Sequence, residues 1–159
     1  MALIFELEKN GFPITIGKHE FFFDTSLEGL VDFYEREKNN RELMKKIREE
    51  AENVGDISEL ISDDSKDVEK AKEKVVEAMA VTEKLLRLKY DYILGDGSFD
   101  KVYATFKDID RLEEIFDSIE SAVNDAILEN ASKRADNYEQ KHKEILKKKA
   151  LKKKKKAKK

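Results

Sequence analysis

Hydrophobic and polar residues follow two different periods along this chain. Over residues 1–24 the period is two. Leu3, Phe5 and Leu7 alternate with Ile4, Glu6 and Glu8, and Lys9-Asn10-Gly11 is a turn signal. Phe12 to Ile16 is extended in character, with Pro13 marking an edge or a strand start. Gly17-Lys18 is a second turn signal, and His19 to Phe23 is a short aromatic run. The pattern predicts two or three short strands, a β-hairpin or small meander. Alone such an element is marginal, so it must pack on a helix or on a partner.

From residue 26 onward the period lengthens to that of a helix. Thr25-Ser26-Leu27-Glu28 fits a capping box, with the Thr hydroxyl accepting from the amide three residues on. Leu27, Leu30, Val31 and Tyr34 share one helical face, and Leu43, Met44, Ile47 and Ala51 resume the stripe. Asn39-Asn40 is a weak point, so either one long helix or two helices meeting near Asn39 is expected. Asn53 to Lys66 reads as a loop around Gly55 and Ser62-Asp63-Asp64-Ser65, with room for a helical turn at Ile57 to Ile61. A second helix from about Asp67 to Leu94 carries the seam Val68, Ala71, Val75, Met79, Thr82, Leu86, Tyr90 and Ile93. Gly95 suits a left-handed C′ position. Phe99 to Phe106 reads as a short helix displaying Phe99, Val102, Tyr103 and Phe106. Asp108 or Asp110 can cap the last helix, whose stripe is Ile109, Leu112, Phe116, Ile119, Val123 and Ile127. After Leu128 only Tyr138, Ile145 and Leu146 recur. The expected fold is α+β, mainly α. A single domain over 1–128 holds a hairpin or meander (1–24) and a bundle of three to five helices (26–128). An exposed helix over 129–159 frays into a disordered, lysine-rich tail.

Charge sharpens this division. The last nineteen residues, Lys141 to Lys159, hold twelve lysines and one acid, Glu144. Removing them from the 32 basic and 35 acidic side chains leaves 20 and 34, so the body sits near −14 and the tail near +11. The summed −3 hides both. A charged share of 42% is far above the usual quarter and favours helices with thin apolar stripes. Cysteine is absent, which excludes disulfides and thiolate metal sites. Met1 to Leu7 are interrupted by Glu6 and follow no basic region, so no secretion signal is expected. No apolar run approaches the roughly 20 residues of a membrane helix. A soluble, intracellular protein is the expectation.

The residues offer little chemistry. His19 and His142 lie in different regions, without an acid–histidine pair at ligand spacing, so neither is expected to bind metal or act as a base. Gly95-Asp96-Gly97 follows no strand and precedes no Gly-Lys-Ser/Thr, so the phosphate-loop and dinucleotide fingerprints both fail. Nor does it have the acid spacing of a calcium loop. Glu35, Glu37, Glu49 and Glu50 fall opposite the stripes, as a solvated face does. No catalytic, metal or cofactor residue is expected, and the protein is read as a non-enzyme. Lys152, Lys153, Lys154, Lys155 and Lys156 can contact phosphates by counterion release, without sequence readout. Phe21, Phe22 and Phe23 are consecutive, so they cannot all face one side of a strand. These three, with Tyr34, Phe99, Tyr103 and Phe106, are the candidate partner-binding residues.

The stretch Tyr92-Ile93-Leu94-Gly95-Asp96-Gly97-Ser98-Phe99-Asp100-Lys101-Val102-Tyr103, followed by Asp108 and the seam from Leu112 to Ile119, resembles small tail-assembly chaperones of siphophages and prophages from Gram-positive bacteria. Those proteins often carry Ile-Leu-Gly-x-Gly-x-Phe-x-x-Val/Ile-Tyr between two helices. The opening strand pair, the aromatics before a capped helix and the lysine-rich end are similar too. The resemblance spans most of the chain and rests on short motifs; Asn39-Asn40 and the loop from Asn53 have no place in it. It implies a non-enzymatic chaperone that binds the tape-measure protein, keeps it soluble and helps recruit tail-tube subunits. It also implies work in the cytoplasm of the bacterial host and absence from the mature virion. Many such genes yield a longer product by ribosomal frameshifting, and the run Lys152 to Lys156 fits an A-rich slippery stretch, which the gene sequence decides. Spare apolar stripe also supports self-association. The competing expectation is a small helical adaptor that contacts nucleic acid non-specifically through its lysine tail.

Overall fold

The computed structural model describes residues 1–55 and 68–158 of the chain. Two strands, β1 (Gly11–Ile16) and β2 (His19–Asp24), precede four helices among the described residues: α1 (Leu27–Val54), α2 (Val68–Leu94), α3 (Ser98–Thr105) and α4 (Ile109–Ala157). The α+β, mainly α expectation holds. By its internal contacts the chain divides into two units, Met1–Ser121 and Ala122–Lys159. No helix among the described residues is long and apolar enough to cross a membrane.

The strands are antiparallel, with Phe12 opposite Phe23, Ile14 opposite Phe21 and Ile16 opposite His19. Gly17-Lys18 makes the two-residue turn. Gly17 has φ of 59° and no non-glycine residue among those described has positive φ, which matches a type II′ turn. A two-residue turn makes Ile16–His19 a hydrogen-bonded pair, so Pro13, opposite Phe22, falls in a non-bonded pair. Its missing N–H therefore lies on the outer edge of β1, where a ladder does not need it. Phe12, Ile14, Ile16, Phe21 and Phe23 form the inner face. Of the two or three strands expected, two form, as a hairpin: residues 1–9 pair with no strand among the described residues and are exposed. Alternation alone gave those residues no neighbouring strand to bond.

The first helix is capped one residue later than the pattern suggested. The Thr25 amide donates to the Asn10 carbonyl at 3.0 Å, extending the hairpin ladder, and Thr25 is buried. Ser26 is the cap, its hydroxyl accepting from the Gly29 amide at 3.0 Å. α1 then runs unbroken through Asn39-Asn40 to Val54, so of the two alternatives the single helix holds; it takes in Asn53 and Val54, and the expected loop from residue 56 on lies outside the described residues. The helical turn considered at Ile57 to Ile61 lies outside the described residues.

α2 is the central element. Tyr90, Tyr92 and Ile93 are all buried and serve two clusters. Phe33 of α1 stacks on Tyr92 with centroids 5.6 Å apart and meets Phe23 edge-on at 5.4 Å, which ties the hairpin to α1 and α2. Tyr90 meets Phe99 of α3 at 5.7 Å and Phe116 of α4 at 5.4 Å. The Tyr90 hydroxyl donates to the Leu112 carbonyl at 2.6 Å, so the buried phenol is satisfied. Earlier along α2 the seam passes through Ala78 and Val81, and Met79 is exposed.

α2 ends as expected at Gly95, with φ of 104°. The Asp91 carboxylate accepts from the Ser98 hydroxyl at 3.1 Å and the Phe99 amide at 3.2 Å, so one helix caps the next across the Gly95-Asp96-Gly97 turn. Asp108 caps α4, its carboxylate accepting from the Arg111 amide at 3.1 Å. Ile109, Leu112, Phe116 and Ile119 are buried as the stripe predicted. The expected fraying after Leu128 is not seen: α4 remains helical to Ala157. Lysine, alanine and leucine are good helix formers, and cations at a C-terminus complement the helix dipole. Glu129–Lys133 and Glu139–Lys143 pairs add i,i+4 support.

Candidate partner-binding surfaces

The seven aromatic candidates separate by depth. Phe23 and Phe99 are fully inside and present no ring to a partner. Phe21 is half-buried on the inner hairpin face. Tyr103 is half-buried and stacks on Phe99 at 5.2 Å with an 18° interplanar angle. Phe22, Tyr34 and Phe106 are exposed. Phe22 is the one of its trio on the outer face, as period two requires, and the Lys9 ammonium lies 5.8 Å from its ring centre.

Helix α1 shows the largest departure from the sequence pattern. Its packing face is built from Phe33 and Ile47, with Leu30, Met44 and Ala51 half-buried. Leu27, Val31 and Tyr34, which the pattern placed on one face with Leu30, are 64%, 56% and 51% exposed. At 100° per residue the three lie together, on a strip roughly 120° around the helix from the buried face. Exposed Glu28, Asp32 and Glu35 border one side of the strip. An apolar strip bordered by acids suits an amphipathic helix whose own apolar stripe is bordered by Lys or Arg. Phe33 was the missed residue, and the only local signal for it was its aromatic character beside Tyr34.

Between α1, α2 and the first half of α4 lies a groove of about 650 Å³. Glu37, Arg41, Lys45, Arg48, Glu49 and Glu52 of α1 line it together with Lys89 of α2 and Glu120 of α4. At its floor the Tyr92 hydroxyl donates to Glu120 Oε1 at 3.3 Å. Burial first, and then the Glu120 charge, holds this phenol well above its ordinary range. The mixed charges can pair with charged side chains of a helical partner. A second, apolar pocket of about 260 Å³ lies at the hairpin turn, against α3 and the start of α4. There His19 Nε2 and Thr105 Oγ1 are 2.8 Å apart.

Arg87 joins α2 to α3. Its guanidinium donates to Glu83 at 2.8 Å and Asp100 at 3.1 Å and lies 5.3 Å from the Phe99 ring centre. The Glu83 hydrogen bond, followed by those to Asp100, raises its pKa further. Among the described residues no three His, Asp or Glu side chains gather as a metal site. In the Ala122–Lys159 unit, Tyr138 stacks on His142 at 6.4 Å, and Lys152 to Lys156 are exposed along the helix. No family model, no curated protein and no solved structure matches the chain.

Proposed function

We propose that the protein is a non-enzymatic tail-assembly chaperone of a siphophage or prophage. Its client is the tape-measure protein, a long apolar helical polypeptide, and it helps bring tail-tube subunits to that client. It acts in the cytoplasm of the bacterial host and leaves before the virion is complete. The observation that carries the reading is the exposed strip Leu27, Val31 and Tyr34. A client helix aggregates through its apolar stripe unless that stripe is covered, and this strip offers cover. The acidic body, near −14 before Lys141, keeps coated clients apart by repulsion. Many copies along one client give avidity from weak single contacts.

Co-expression with the tape-measure protein of the same genome tests this. The wild-type chain should keep the client in the soluble fraction, while Val31→Glu and Tyr34→Glu should lose most of it. Client that stays insoluble beside the wild-type chain refutes the reading, as does full activity of both variants.

A second reading has its own observation: the lysines from Lys152 to Lys156 stand exposed on a helix. A small adaptor would use them to contact nucleic-acid phosphates without sequence preference. Deleting residues 147–159 should then abolish retention on DNA at low salt. If that deletion also abolishes client solubility while the strip variants do not, the tail is the working part.

A further inference from the structure

We infer that the segment Met1–Glu8 of one copy docks in the apolar pocket at the hairpin turn of a second copy. The inference stands apart from the chaperone reading and does not need it. Two complementary features of the same chain are each without a partner among the described residues. The first is the segment: Leu3, Phe5 and Leu7 are 74%, 79% and 95% exposed and alternate with Glu6 and Glu8. Extended, it puts three apolar side chains on one face and the carboxylates on the other. The second is the pocket, walled by Ile16, Val102, Phe106 and Ile115, with Lys18 and Arg111 among its lining residues. At about 260 Å³ it is below the roughly 300–1,000 Å³ of small-molecule sites and suits one or two apolar side chains. Arg111 is held by Glu114 at 2.6 Å, so Lys18, at the turn, is the pocket cation that matches the acids of the segment.

The occupant comes from another copy for two reasons. The Asn10 carbonyl is held by Thr25 at the open end of the hairpin, while the pocket is at the turn end, roughly 17 Å along β1 at 3.3 Å per residue. To reach its own pocket the segment would reverse at Asn10 and run beside β1, where Pro13 breaks the outer edge of the ladder. Exchange between two copies avoids both obstacles. Reciprocal exchange also closes a dimer with both pockets filled.

The test uses the full chain, whose lack of cysteine makes engineered cysteines unique. Light scattering should show a dimer forming with concentration. Phe5→Asp should weaken it by roughly tenfold or more with unchanged circular dichroism and Tm, since residue 5 is outside every element. Lys18→Glu should weaken it as well, and Glu6→Lys/Glu8→Lys should restore it. Mixed Leu7→Cys and Phe106→Cys chains should form a disulfide between the two kinds of chain. A monomer at every concentration overturns the inference. So does a dimer indifferent to Phe5→Asp, or a Leu7→Cys/Phe106→Cys double variant that closes its disulfide only within one chain.

Discussion

Phe33 and Tyr34 are adjacent aromatics with opposite fates, and the contrast is measurable. Phe33 fills the junction of hairpin, α1 and α2, while half of Tyr34 faces water. Phe33→Ala should cost about 3–5 kcal/mol in urea unfolding, and Tyr34→Ala less than about 1 kcal/mol. Gly29 gives a second test. A glycine inside a helix usually gains stability on change to Ala. Here a Cβ would sit 2.6 Å from the Asp24 carbonyl oxygen, so Gly29→Ala should cost about 1–3 kcal/mol. Tyr90 and Tyr92 give a pH dependence. Burial is the largest cause that holds both phenols protonated beyond their ordinary pKa of 10.0. Above that pH the unfolded chain releases protons that the native chain keeps, so stability is full below about pH 10 and falls as pH rises. Tyr90→Phe should flatten that alkaline loss in denaturation followed against pH. The sequence marked Tyr90 as core by its spacing. It gave no warning about Gly29, because the close approach comes from a strand end folding onto the helix.

At the scale of elements the helices were mostly legible and their facing was not. The seam of α4 from Ile109 to Ile119 is buried as its spacing implies. The Gly95-Asp96-Gly97 turn and the Asp108 cap also stand where local chemistry puts them. On α1 the apolar positions offer two stripes, and the one that packs is chosen by Phe23 and Tyr92, residues on other elements. α4 continues past its stripe because propensity, not packing, sustains it there. Lysines four apart, such as Lys152 and Lys156, repel within that helix. Raising salt shortens the Debye length from about 30 Å at 0.01 M to about 3 Å at 1 M. Helical circular dichroism should therefore rise with salt, and a chain lacking residues 147–159 should lose that rise.

For the whole molecule the charge split governs behaviour more than the net value does. The lysine end and the acidic body respond oppositely to a polyanion, so binding to DNA should fall steeply with salt and vanish on tail deletion. Client solubility should survive that deletion. The exposed strip on α1 and the exposed segment Met1–Glu8 both lie in the acidic part. Each proposed association sets these acids against cations, of a client stripe or of the pocket, so higher salt should weaken it in light scattering, as it weakens DNA retention.

The sequence by itself determined the hairpin turn, the helices and most of their ends, because turns and caps depend on residues within four or five positions of each other. It also determined the charge division. The tertiary structure decided which apolar stripe of α1 is core, which phenylalanine of the trio faces out, and that residues 1–9 have no strand to pair with among the described residues. Those outcomes depend on what lies opposite in space, and a period along one chain does not contain its partner.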